Sequence, residues 1–226
     1  MITSTANQKI KRILKLQKKA KARNEEGIFI VEGIRMTKEA PEDRIKELYI
    51  SETFLQKYPD LPEHLKKKAE MVSDPVFAHM SDTKTPQGIL GVIRRMSWTM
   101  DELLHGEDGK APFLMVLDHL QDPGNLGTIF RTAEGAGVTG VILGSNCADL
   151  YQPKVIRSTM GSIYRMRAVC VDDMKETVRL LKQHGIHTYA AHLDDSRFYD
   201  EEDYTKPTAF LIGNEGNGLP EEICAE

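Results

Sequence analysis

The chain has 226 residues, 40% hydrophobic and 28% charged, with a formal net charge of −4; this globular composition excludes disordered, collagenous and membrane-spanning classes, since no apolar run approaches ~18 residues. Cys147, Cys170 and Cys224 are odd in number and far apart, which argues against a disulfide framework or a zinc-ligand spacing and fits thiols in a reducing cytoplasm. The mild acidity hides an asymmetry: residues 1–24 carry eight basic residues and no acid, leaving 22 basic against 34 acidic residues elsewhere, a division that points to a polyanionic partner.

Residues 7–23 read as a helix. Ile10, Ile13 and Leu14 line one side, Asn7 or Thr5 is available as cap, and Gly27 lies beyond the far end. Lys9, Lys11 and Arg12 belong to the basic face that covers the rest, with no compensating acid nearby in sequence, and are expected to touch phosphate. Residues 28–31 then form a short strand, 33–40 a helix, 46–50 a strand and 62–70 a helix. A helix over 74–80 has Asp74 as cap and Pro75 in its first turn, and 88–94 is a strand. This alternation predicts a small α/β/α domain over residues 1–96. The polar, glycine-punctuated stretch 97–112 reads as a linker.

From residue 113 the pattern is βαβ, and the strand 113–117 is continuously apolar, as in a parallel sheet covered on both faces. Helices follow over about 125–136, 152–160 and 173–184, and strands over 138–143, 166–171, 188–192 and 208–212. The expected fold class is α/β, with an open parallel sheet over 113–226. Two strand ends stand out: Leu117-Asp118-His119-Leu120-Gln121-Asp122-Pro123-Gly124-Asn125-Leu126-Gly127, and Leu211-Ile212-Gly213-Asn214-Glu215-Gly216-Asn217-Gly218-Leu219. Ligands bind at such carboxyl ends, where glycines let backbone come close. A dehydrogenase-type dinucleotide fingerprint is disfavoured, because Gly124 and Gly127 have only part of its spacing and Gly144-Ser145-Asn146 stands where its ribose-binding acid belongs.

Asp122-Pro123-Gly124-Asn125-Leu126-Gly127 with Arg131-Thr132-Ala133 resembles the first motif of the SpoU (TrmH-like) RNA ribose 2′-O-methyltransferases of the SPOUT superfamily, and Gly213-Asn214-Glu215-Gly216 with Gly218-Leu219 resembles their second. Between them, Lys154 and Arg157-Ser158-Thr159-Met160-Gly161-Ser162 are similar to the family's Ser-x-Gly-Ser/Ala segment. Asn7 to Lys11, Gly27 to Gly33, and Ser81-Asp82-Thr83 with Pro86-Gln87-Gly88 resemble the substrate-binding domain that precedes the catalytic one in many members. The family's third motif, an Ile-Pro-Met strand and a Ser-Leu-Asn-Val-Ser helix start, is expected shortly after Leu219, whereas the sequence stops at Glu226. Either the sequence is truncated before the segment that threads the family's trefoil knot, or the protein is an incomplete methyltransferase; the motifs it keeps favour truncation.

The resemblance implies methyl transfer from S-adenosylmethionine to a ribose 2′-hydroxyl of RNA, ribosomal RNA in preference to tRNA, by a homodimer that needs no metal and no membrane. It implies Arg131, Asn125 and Glu215 as catalytic-site residues: Arg131 to clamp phosphate and hydroxyl, Asn125 to hold the ribose (or to act only as a helix cap), and Glu215 to orient either. Gly213 and Gly218 would hold the donor through main-chain groups, and Ile212 and Leu193 would sandwich its adenine or serve only as core. Lys154, Arg157, Arg165 and Arg167 make a second basic cluster with no acid between Asp149 and Asp172, offering phosphate contacts beside those of the first helix. A protein of another class, an RNA-binding chain that keeps the fold without catalysis, is the alternative that the missing motif supports.

Overall fold

The structure, a computed structural model, describes residues 1–106, 109–192 and 198–226. Contacts divide the chain into two compact units, Met1–Met96 with Asp149–Tyr164, and Ser97–Ala148 with Arg165–Glu226. The segment 149–164, which the sequence pattern groups with the methyltransferase part, therefore packs within the first unit. Among the described residues no helix is long and apolar enough to cross a membrane.

The first unit opens with α1 (Gln8–Lys18) and α2 (Ala20–Glu26). Asn7 caps α1 by accepting from the Lys9 backbone N–H. The expected single helix breaks at Lys19, whose backbone is extended. The break folds α2 back so that the buried Arg23 donates to the carbonyls of Leu16 and Gln17 and pairs with Asp149. Gly27 ends α2 in the left-handed conformation at φ 64°.

Next come β1 (Ile28–Glu32), α3 (Ile34–Glu39), β2 (Ile45–Ser51), α4 (Glu52–Lys57), α5 (Glu63–Lys68), β3 (Ala69–Val72), α6 (Asp74–Met80) and β4 (Ile89–Arg94). The sheet order is β1-β4-β2-β3, with β4 antiparallel to both neighbours and β2 parallel to β3. The expected helix over 62–70 stops at Lys68, because residues 69–72 pair with Leu48–Ser51 instead; sheet pairing overrides a weak helical preference. Asp74 is not the cap of α6. Ser73 holds that position, and the Asp74 carboxylate accepts from the Thr53 backbone N–H and hydroxyl at 3.2 and 2.6 Å. Ile10, Ile13 and Leu16 of α1 bury against Ile28, Ile30, Leu90 and Val92, all within 3% exposure. On the other sheet face Phe29 meets the rings of Tyr151 and Tyr164 at 5.3 and 6.2 Å, which is how the 149–164 segment joins this unit.

The second unit holds α7 (Met100–Leu104), β5 (Phe113–Leu117), α8 (Pro123–Gly135) and β6 (Gly140–Gly144). Helix α9 (Pro153–Thr159) belongs to the first unit; β7 (Ala168–Val171), α10 (Met174–Gln183), β8 (His187–Ala190), β9 (Thr208–Ile212) and α11 (Glu221–Cys224) return to the second. All pairings are parallel, in the order β7-β6-β5-β9-β8. The chain builds outward from β5 to β7, crosses to the opposite edge for β8, and returns to insert β9 beside β5. The last strand and the first of the sheet thus become neighbours. Leu114, Val116, Ala209 and Leu211 face α10 through Val178 and Leu181.

Arg23→Ala is expected to leave two buried carbonyls and Asp149 without their cation, lowering unfolding free energy by about 3 kcal/mol. Urea denaturation checks this as a lower midpoint at unchanged m-value.

Candidate active site

Leu117 of β5 pairs with Ile212 of β9, and the Asp118 backbone N–H donates to the Ile212 carbonyl at 2.9 Å. The two glycine-rich loops therefore leave the sheet at one level, side by side. The second is a tight turn in which Asn214 and Gly218 exchange both backbone hydrogen bonds, at 2.9 and 3.0 Å. Gly213 has no alternative there: a Cβ on it would lie 2.1 Å from the Gly218 carbonyl carbon. Gly218 stands at φ 69°, where a side chain is strained.

Glu215, at the tip of this turn, grips the first loop. Its Oε1 accepts from the Asp122 backbone N–H at 3.1 Å and from the Asn125 Nδ2 at 3.2 Å, and its Oε2 from the Gln121 N–H at 3.3 Å. Its own N–H and those of Asp122 and Gln121, together with Asn125, hold the carboxyl below the usual range. Asp122, not Asn125, caps α8: its carboxylate accepts from the Asn125 N–H at 2.8 Å, and Pro123 takes the first helical position. Asn125 is thereby released from capping, and its side-chain amide is oriented by Glu215.

Asn125, Glu215, Ile212, Gly213 and Gly218 line one cleft of about 350 Å³, walled on its apolar side by Leu120, Ile129 and Ala191. Arg131 is exposed on α8, six residues after Asn125, which places it ~9 Å along the axis and on an adjoining face. Leu193 lies outside the described residues.

The basic residues are placed differently from the expectation. The premise that nothing compensates them fails, because acids remote in sequence meet them in the fold. Lys9 pairs with Glu70. Arg12 bridges Glu26 and Glu47, and the hydrogen bond to Glu26 raises its already high pKa. Arg157 pairs with Asp82 at 2.8 Å, and Arg165 with Glu134. Lys154 and Arg157 fall in the first unit, Arg165 and Arg167 in the second, and Arg167 caps the Glu102 and Gly106 carbonyls at 3.2 Å while lying over the Trp98 ring. Lys11, Lys18 and Lys19 stay exposed with no ion pair among the described residues.

Sequence reasoning missed Asn214. Its Nδ2 donates to the His119 carbonyl at 2.9 Å, and its Oδ1 accepts from the Gly216 and Asn217 N–H groups at 2.9 and 3.1 Å. His119 presents that carbonyl from a left-handed backbone, φ 55°, a conformation that costs a non-glycine residue of order 1 kcal/mol or more. No local signal announces His119, but an Asx residue inside a glycine turn, and Asp directly before Pro, are readable signs of the roles Asn214 and Asp122 take.

Residues 112–226 match the SpoU rRNA Methylase family, and residues 7–91 the MRM3-like substrate binding domain. The chain is 32% identical over 222 residues to the 23S rRNA (guanosine(2553)-2′-O)-methyltransferase RlmP of Bacillus subtilis, covering 96% of this chain and 84% of that protein. It is 35% identical over 144 residues to the human mitochondrial rRNA methyltransferase 3, of which it covers 29%. The AdoMet-bound rRNA methyltransferase from Sinorhizobium meliloti superposes with a TM-score of 0.84 at 30% identity, covering 100% of this chain and 85% of that one. The strand-end motifs, their clasped geometry and these likenesses agree: the chain belongs to the SpoU rRNA methylase family, with an MRM3-like substrate-binding domain before the methylase part.

Proposed function

We propose that this chain methylates the ribose 2′-hydroxyl of ribosomal RNA with S-adenosylmethionine as donor. The observation that carries the reading is the clasp in which Glu215 orients Asn125 at the mouth of a glycine-walled cleft. The cleft suits the donor: Gly213 lets the turn close, Gly218 leaves open space beside its backbone where an adenosine would lie, and Ile212, Ile129 and Leu120 offer an apolar wall. Gly213, Gly218 and Ile212 would hold it, and when bound it supplies a methyl group already activated on a sulfonium.

The chain's own task is then alignment and proton management. Glu215 is a holder and not a base, since its oxygens already accept three hydrogen bonds and its acidity is increased. With Nδ2 donated to Glu215, Asn125 keeps Oδ1 to accept a hydrogen bond from the ribose hydroxyl and so hold the ribose. Arg131, whose guanidinium only donates hydrogen bonds and is a poor base, clamps the phosphate and hydroxyl while phosphate or solvent takes the proton. The exposed Lys11, Lys18 and Lys19 supply phosphate contact from the first helix pair. Preference for rRNA over tRNA, which the family and the relatives' names support, is part of this reading, as are homodimerisation and a cytoplasmic setting.

Calorimetry of S-adenosylmethionine with the chain tests the reading: saturable 1:1 binding is expected, and absence of binding contradicts it. Arg131→Ala should keep that binding yet lower methyl transfer to an unmodified large-subunit rRNA transcript about a hundredfold or more; full activity would remove Arg131 from the mechanism. Glu215→Gln should lower kcat by about tenfold to a hundredfold, the worth of hydrogen bonds to a charged acceptor. The pH dependence follows from the depressed folded pKa. The grip is complete above the unfolded value of about 4.3 and is lost only as pH falls through the lower folded one, so donor affinity should stay flat from about pH 5 upward.

A further inference from the structure

The first unit contains a cleft of about 430 Å³ far from the donor loops in sequence, framed by α4, the start of α6 and the Pro86-Gln87-Gly88 turn. Its floor is aromatic: Phe54 is buried, and its ring meets the half-buried Tyr58 at 4.7 Å. Its rim is polar and fixed in direction. Gln87 Oε1 accepts from the Ile34 backbone N–H at 3.0 Å, so its amide NH₂ is left to donate. Asp74 is oriented by two hydrogen bonds from Thr53, which also keep it ionised, and retains acceptor capacity. Lys57 stands at the mouth, exposed, with its ammonium 5.6 Å from the Tyr58 centroid. Gly88 makes the arrangement possible, since at φ 91° a Cβ would press within 2.6 Å of Phe54 and Ser51. A second cavity of this unit, about 10 Å³, is no larger than one water.

An aromatic floor, one fixed donor, one fixed acceptor and a cation at the rim make up the chemistry that receives an unstacked base: stacking, edge hydrogen bonds and a phosphate contact. The cleft lies within the residues matched as a substrate-binding domain. We infer that this cleft is a base-binding site, which takes one splayed nucleobase of the RNA substrate on Tyr58 and reads its edge with Asp74 and Gln87, while Lys57 meets the adjoining phosphate. It rests on the RNA reading above, and its residues take no part in donor binding. A carboxylate acceptor beside an amide donor favours a base with adjacent amino or imino and carbonyl groups over one with acceptors alone.

The test uses the full chain and an unmodified large-subunit rRNA transcript in filter binding over a series of salt concentrations. Tyr58→Ala is expected to weaken binding about tenfold with an unchanged salt slope, because a stack and not a phosphate is lost. Tyr58→Phe should bind like the parent. Lys57→Ala should flatten the slope by roughly one. Calorimetry with S-adenosylmethionine should be unchanged in all three. Photocrosslinking of the same transcript carrying 4-thiouridine, which needs no substitution, should label the peptides containing residues 54–58 or 86–88. Parent-like affinity in Tyr58→Ala, or crosslinks confined to other peptides, overturns the site while leaving the methyltransferase reading intact. A parent chain that binds the donor but no RNA would overturn both.

Discussion

Everything at the active site depends on one topological fact: the last strand of the parallel sheet lies beside the first. Because β9 pairs with β5 in register, Leu117 opposite Ile212, two loops separated by more than ninety residues leave the sheet within hydrogen-bonding distance. A carboxylate is a suitable link for them. Glu215 accepts from two backbone N–H groups at the start of a helix and from Asn125, so the helix N-terminal field and the loop amides both favour its charge. The two loops are thus held by a frame that the sheet itself sets, the condition for alignment to lower a barrier.

A second economy lies in the division of labour among polar side chains. Asp122 caps the helix, Asn214 ties its own turn to the His119 carbonyl, and Glu215 grips. With capping and tying assigned to neighbours, the Asn125 side chain turns to Glu215 at the cleft instead of closing the helix end. Glycine is required at Gly213, where two backbones nearly touch. The same logic governs the first unit: Arg23, basic by composition, is buried as a carbonyl and carboxylate partner, so composition overstates the charge available to RNA.

Much of this was legible in the sequence. The continuous apolar strand at 113–117 and the Asp-Pro-Gly-Asn and Gly-Asn-Glu-Gly strand ends locate the sheet and its two clasped loops, because parallel sheets and backbone-close loops leave strong local signatures. What sequence could not supply were partners remote along the chain. Glu70, Glu26 and Glu47 neutralise parts of a helix that reads as uncompensated, and the rings of Tyr151 and Tyr164 carry the 149–164 segment into the first unit through Phe29. The helix break at Lys19 and the short β3 went unread for the same reason: each is decided by tertiary contacts that outweigh local propensity.

The central claim is that the clasped cleft directs a methyl group to a ribose oxygen of ribosomal RNA. Incubating the chain with unmodified rRNA and a deuterated-methyl donor, then digesting to nucleosides for mass spectrometry, tests it most directly. Deuterated methyl is expected on the ribose fragment of one nucleoside type. Label on the base fragment, or none with donor bound, would contradict it.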